Sequence, residues 1–114
     1  MSDNEIEGGE GDNVPTYHIR LAQAEELVEL AFTKLGDSIH SREDLQDGSG
    51  IMSQANDHFK EALSIYSEIG HRLGEAQTLS NIGNFSWSQG DFSEAADFYS
   101  ESQRIYREIS DYNG

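Results

Sequence analysis

The chain has 114 residues, of which 35% are hydrophobic, and this suits a single domain with a modest core. No apolar run is long enough to span a membrane, and the acidic first residues lack the features of a secretory signal or a transit peptide, so we expect a cytoplasmic protein. The absence of cysteine excludes disulfides, thiolate catalysis and cysteine zinc sites, and the net charge of -15 disfavours nucleic acids and membranes as partners.

Residues 1–14 are predicted to form a disordered acidic tail. They contain five acidic residues and several small turn formers, and only Ile6 and Val14 are sizeable apolar residues. Such a segment buries too little apolar surface to offset the entropy lost on ordering. The tail either keeps the protein soluble or binds a basic partner, and residues 15–114 are expected to form one helical domain.

Four helices are predicted after Pro15, because apolar residues recur there at steps of three and four. The predicted helices cover about residues 16–44, 51–70, 75–90 and 92–110. Residues 46–50, with the sequence QDGSG, are predicted to be a loop. Gly90 is expected to end the third helix and Asp91 to cap the fourth, with Glu94 at the third helical position. No segment alternates like a strand, so the predicted fold class is all-α.

Two halves of the chain repeat each other. Residues 65–69 (IYSEI) match residues 105–109 (IYREI) at an offset of 40, whereas residues 35–37 (LGD) fall on residues 82–84 (IGN) at an offset of 47. An insertion of seven residues, placed at the predicted loop, reconciles the two offsets. The sequence therefore predicts two copies of one helical hairpin. These copies cover about residues 16–70 and 75–110.

Both copies place a Leu-Gly or Ile-Gly pair in their first helix and an alanine followed by an aromatic residue in their second. The first copy reads Phe32-x2-Leu35-Gly36-x2-Ile39 and Ala55-x3-Phe59, and the second reads Leu79-x2-Ile82-Gly83-x2-Ser86 and Ala95-x3-Tyr99. This pattern resembles the tetratricopeptide repeat, and residues 65–76 resemble its longer variety, as in Leu-Gly-Asn repeat proteins and prokaryotic signalling regulators, which fits the 40-residue offset.

The resemblance implies antiparallel helix hairpins, with two repeats in four helices. Here the first repeat has a lengthened first helix and an inserted loop. The implied function is a non-catalytic module that binds a peptide or helical segment of another protein in a concave groove, alone or in a signalling assembly. The alternative is a structural unit that associates only with copies of itself.

Gly36 and Gly83 are predicted to lie mid-helix at close helix contacts. A glycine inside a helix costs about 1 kcal/mol relative to alanine, so a close approach of the partner helix is the expected compensation. The expected contacts are at Ala55 and Ala95, in the second helix of each copy.

Residues one position beyond these glycines turn about 100° away from that contact and are predicted to face the groove. Steps of three and four from them complete the predicted partner-binding set: Thr33, Asp37, His40, Ser80, Asn81, Asn84, Trp87 and Ser88. Trp87 is interpreted either as the aromatic anchor of the groove or as a buried core residue. Asn81 and Asn84 resemble the asparagines that bind a peptide backbone in related repeat proteins, or else they are solvated polar residues.

The sequence contains no pattern typical of a catalytic or cofactor site. The four histidines form no metal-binding pair, and neither a nucleophile elbow nor a phosphate-binding loop is found. We therefore expect no enzyme activity, no metal and no cofactor. The basic clamp of chaperone-adaptor repeats is not reproduced either, because Thr33 and Asp37 occupy its places.

The ends of the two-repeat array are predicted to be open. The last helix carries Phe98, Ile105 and Ile109 with no helix after it, and the first helix carries Leu21, Leu27 and Leu30 beyond the repeat. Because repeat arrays need covered ends, either the first helix folds back as a cap or two chains form a homodimer, which we favour.

The acidity has two explanations. Only two lysines and five arginines accompany 22 acidic residues, a balance typical of proteins from salt-loving organisms. In that setting salt screens the charge, and acidity says little about partners. Otherwise it favours a partner segment that bears Lys or Arg.

Overall fold

The computed structural model describes the backbone of residues 2–40 and 45–113, and the side chains of residues 16–36 and 50–111. The chain forms four helices in order: α1 (Ser2–His40), α2 (Leu45–Ile69), α3 (Arg72–Ser88) and α4 (Phe92–Asn113). Each helix packs against the next along the chain, so α1 with α2 and α3 with α4 form two helix hairpins joined through α2 and α3. The described residues contain no strand, and the all-α prediction is confirmed.

Helices α2 and α3 end at Ile69 and Ser88, as local chemistry predicts. Gly70 and Gly90 have φ angles of 72° and 84°, in the left-handed region where a side chain is unfavourable. The Glu94 backbone N–H donates to a carboxylate oxygen of Asp91 at 3.3 Å, so the predicted cap of the fourth helix is confirmed.

The predicted loop at residues 46–50 is wrong, because α2 begins at Leu45 and includes these residues. The end predicted for the first helix, near Asp44, lies outside the described residues. Gly, Ser and Asp permit a turn, but they are also accepted in the first turns of a helix, where Asp interacts favourably with the helix dipole. Local turn propensity is therefore not sufficient to predict where α2 begins.

The backbone of α1 is helical from Ser2, whereas composition predicts a disordered tail over residues 1–14. The side chains of these residues lie outside the described set, and the disorder stays a prediction.

Hydrogen exchange tests the predicted disorder of residues 1–14 directly. We expect the amides of residues 2–14 to exchange fastest in the chain, because this composition offers few apolar contacts. The amides of residues 59–66 serve as the slow internal control, and equally slow exchange across residues 8–13 would contradict the disorder.

The core runs through all four helices in three connected clusters. Ala24, Ala62, Ile65 and Tyr66 fill the space between α1 and α2, and Ala76, Leu79 and Ile105 fill the space between α3 and α4. Between them lies a cluster of Ala31, Ala55, Phe59 and Ile82, which joins the two hairpins. Alanine occurs in every cluster because a small side chain lets two helices approach closely.

The two mid-helix glycines differ in their surroundings. A Cβ on Gly83 would lie 2.8 Å from the Tyr99 ring and 3.2 Å from Phe98 Cβ, so a close approach exists there, although its partners are not the predicted Ala95. Outside its own turn of helix, no atom of the described residues lies within 4 Å of a Cβ built on Gly36. The close contact predicted between Gly36 and Ala55 is therefore wrong.

The prediction of an open C-terminal end is also wrong. Ile105 is 1% exposed, and Phe98 and Ile109 are half-buried against the α3–α4 cluster. The exposed surface of α4 carries Arg104, which pairs with Glu101 and Glu108, while Arg72 of α3 reaches Glu108. It also carries the exposed aromatic side chains of Phe92 and Tyr106. The three apolar residues predicted to lie uncovered are therefore packed wholly or partly against α3. At the other end Leu21 and Leu27 pack against α2, whereas Leu30 is 42% exposed.

Candidate functional site

A groove with two cavities lies between α1 and α3, over α2. The first, called the apolar cavity, has a volume of about 190 Å³ and is lined by Phe32, Leu35, Met52, Ala55, Asn56, Phe59, Asn81, Asn84, Phe85 and Ser88. The second, called the tyrosine cavity, has a volume of about 430 Å³ and is lined by Val28, Phe32, Tyr66, Gln77, Thr78, Ser80, Asn81 and Tyr106. Phe32 and Asn81 line both, so the two cavities are neighbours, and together they are called the α1–α3 groove.

The Phe32 ring of α1 lines both cavities of this groove. It packs edge-on against the Phe59 ring, with 5.3 Å between centroids, and still exposes 51% of its surface. The sequence analysis predicted Thr33 as a groove residue and missed Phe32. Phe32 could have been found, since it occupies the large first position of the repeat pattern. Because one step along a helix turns a side chain by about 100°, the choice of Thr33 pointed to a different surface of α1.

The structure brings four of the predicted site residues together along α3. Asn81, Asn84 and Ser88 line the apolar cavity, and Ser80 with Asn81 lines the tyrosine cavity. Thr33 instead lies on another surface of α1, beside Glu26, Leu27, Glu29 and Leu30. The side chains of Asp37 and His40 are outside the described residues.

Trp87 is not a core residue, because 58% of its surface is exposed. It is not among the described residues that line either cavity. Its ring packs against the Phe92 ring at the α3–α4 turn, with 4.5 Å between centroids. Phe92 is also 55% exposed, so the two rings form an aromatic pair open to solvent.

Hydrogen bonds hold most of the polar groups along the α3 side of the groove. The Tyr99 hydroxyl donates to Asn84 Oδ1, and the Ser80 and Ser102 hydroxyls bond each other at 2.9 Å. The Ser88 hydroxyl donates to the Phe85 carbonyl at 2.7 Å. These bonds restrict the orientations of the side chains, and such restriction would lower the entropy cost of binding a ligand.

Asn56, on the floor of the apolar cavity, is a polar residue that sequence reasoning missed. It is 6% exposed, and within the described part of the chain its Oδ1 atom has no hydrogen-bond partner. It also borders a smaller cavity of about 150 Å³ beside Lys60 and Gln89. A buried carbonyl oxygen without a partner is unfavourable, and a ligand with one N–H or O–H donor would satisfy it.

The α3 side of the groove carries no charge. Residues 76–90 contain no acidic or basic residue, although charged residues make up 25% of the chain. The acidic residues nearest in sequence are Glu75 before this stretch and Asp91 after it. At the α3–α4 turn, a hydrogen bond with Asp91 and desolvation raise the pKa of Glu94. In the tyrosine cavity, burial raises the pKa of the Tyr66 hydroxyl, which stays neutral and able to donate. The α3 side of the groove therefore offers apolar surface and hydrogen-bonding groups without charge.

None of the helices in the described residues is long and apolar enough to cross a membrane. Within the same residues, His, Asp and Glu side chains form no group of three that could hold a metal ion.

Comparison with known families gives a match to the tetratricopeptide repeat model over residues 52–108, which is half of the chain. The matched segment runs from within α2 through α3 and most of α4, and so covers the floor and one wall of the groove. Neither the curated proteins nor the solved structures yield a match. With this family match and two helix hairpins in series, the chain belongs to the tetratricopeptide repeat family.

Proposed function

We propose that this chain is a non-catalytic protein-interaction module that binds an extended segment of a partner protein in the α1–α3 groove. Membership in the tetratricopeptide repeat family favours a protein-binding role. The observation that carries the proposal is the apolar cavity with the amides of Asn81 and Asn84 at its edge. An apolar floor takes a side chain, while amide groups both donate to and accept from a peptide backbone.

The proposed segment places an uncharged apolar side chain in the apolar cavity. Basic residues on either side of it would speed association, because the net charge of -15 attracts them from a distance. They would not contact the α3 side of the groove, which is uncharged. Added salt is therefore expected to slow association of such a segment and to leave its dissociation rate nearly unchanged.

We also propose that the repeats are of the longer variety. Two pairs of residues separated by 40 positions support this spacing. Ala55 and Ala95 are both completely buried, and Ile65 and Ile105 are 6% and 1% exposed. The corresponding positions of α2 and α4 therefore have the same role in packing.

A peptide library displayed on phage and selected against the full chain tests groove binding. We expect Asn81→Arg to weaken the selected peptides about tenfold or more, because the new side chain occupies the position shared by both cavities. The matched control is Ser100→Arg on the exposed polar face of α4, which should leave affinity unchanged. Peptides that bind the Asn81→Arg protein as well as they bind the original chain would contradict the proposal.

A further inference from the structure

Trp87 combines features of an interface residue. It is the only tryptophan in the chain and it is more than half exposed. Exposed tryptophans at protein surfaces commonly dominate the energy of an interface. Around it α3 is uncharged from residue 76 to residue 90. In an approach of two copies through this surface, the acidic residues closest to Trp87 are Asp91 and Glu94 of the α3–α4 turn.

We propose that two copies of this chain associate through the exposed face of α3, each inserting its Trp87 indole into the apolar cavity of the other. The apolar cavity is the one proposed above to bind a partner segment, but formation of the dimer does not require such a segment. An enclosed apolar cavity of about 150 Å³ accommodates a benzene ring. The apolar cavity, at about 190 Å³, has room for a somewhat larger ring system such as indole.

Hydrogen bonding favours indole over a purely apolar ring. The indole nitrogen is a donor and cannot accept. The buried Oδ1 atom of Asn56 is an acceptor that lacks a partner among the described residues. In the proposed dimer the indole N–H of Trp87 donates to Asn56 Oδ1 of the other copy, so each cavity is completed by a residue that the other copy contributes.

Trp87 lies close along α3 to the apolar cavity of its own copy. Trp87 is adjacent to Ser88 and lies one helical turn from Asn84, and both of these line the apolar cavity. A two-fold axis beside this end of α3 would bring each ring to the other copy's cavity. Such an interface uses the same patch twice, as the commonest protein dimers do.

Two consequences distinguish this dimer from binding of a basic segment. Each copy has a net charge of -15, so added salt should strengthen the dimer by screening the repulsion between copies. The dimer also fills the cavity where a partner segment would bind. Preventing dimerisation at Trp87 should therefore leave peptide binding intact or improve it, whereas Asn81→Arg should impair both.

Sedimentation of the full chain over a wide concentration series, in about 0.1 M and about 1 M NaCl, measures the association. We expect a mass of twice 12.7 kDa at high concentration, and a shift of Trp87 fluorescence to shorter wavelength that follows the same isotherm. Trp87→Ala should raise the dissociation constant at least about tenfold. Ser88→Glu should weaken the dimer similarly, while the matched control Ser100→Glu on α4 should not.

A double-mutant cycle tests the hydrogen bond. Trp87→Phe keeps a ring but removes the donor, and Asn56→Leu removes the acceptor at similar volume. Each change should weaken the dimer, and Asn56→Leu should have a smaller effect in the Trp87→Phe protein than in the original chain, because the hydrogen bond is already lost there. Circular dichroism checks that each variant is folded. If Asn56→Leu does not fold, the variants Trp87→Ala and Ser88→Glu, at exposed positions, still test the dimer. A chain that stays monomeric at both salt concentrations, or a dimer insensitive to Trp87→Ala and Ser88→Glu, would overturn the proposal without affecting the peptide-selection test.

Discussion

Replacing Ile82 with alanine is expected to lower the free energy of unfolding by about 2–5 kcal/mol, the range for truncating a large aliphatic side chain in a core. Ile82 is 1% exposed and belongs to the cluster that joins the two hairpins. The same cluster contains Ala55 and Phe59 of α2, and Phe98 of α4 packs against it. The loss therefore affects the hairpin junction as well as α3 itself.

The matched control is Ile19→Ala, which removes the same atoms from a side chain that is 56% exposed. Its effect should stay within about 0.5 kcal/mol, the usual limit for surface substitutions. Urea unfolding followed by circular dichroism gives both values from one protocol. Similar losses for the two variants would show that Ile82 does not hold the hairpins together.

Replacing Gly74 with alanine is expected to destabilise the protein by about 1–3 kcal/mol, although alanine normally favours a helix. A Cβ on Gly74 would lie 2.4–2.7 Å from ring atoms of Tyr66. The Tyr66 ring is 6% exposed and packed in the α1–α2 cluster, so it has little freedom to move away. The steric cost therefore exceeds the gain in helix propensity.

Gly36→Ala is the contrasting substitution for the same measurement. The described residues leave open space around a Cβ at Gly36, and its φ angle is not in the left-handed region. Alanine should there stabilise the protein by about 0.5–1 kcal/mol, because it restricts the unfolded chain and favours the helix. Stabilisation by both substitutions would show that Tyr66 yields readily, and destabilisation by both would place a close contact at Gly36.

Hydrophobic periodicity and internal repetition were sufficient to predict four helices, two hairpins and a tetratricopeptide-type fold. The caps that depend on a single residue, such as Gly90 and Asp91, could also be predicted, because a left-handed glycine and an N-cap carboxylate are local effects. The helical conformation of residues 46–50 could not be predicted, since turn-forming residues are compatible with more than one backbone conformation.

The site was predicted only along α3. Asn81, Asn84 and Ser88 share one helix, and a helical step places them on one face without knowledge of any other element. Phe32 and Asn56 required the tertiary structure, because the wall and floor of a groove depend on how α1 and α2 are rotated against α3. The same reason separates Gly36 from Gly83: each has the same sequence context, but only the packing of a neighbouring helix decides which one is at a close contact.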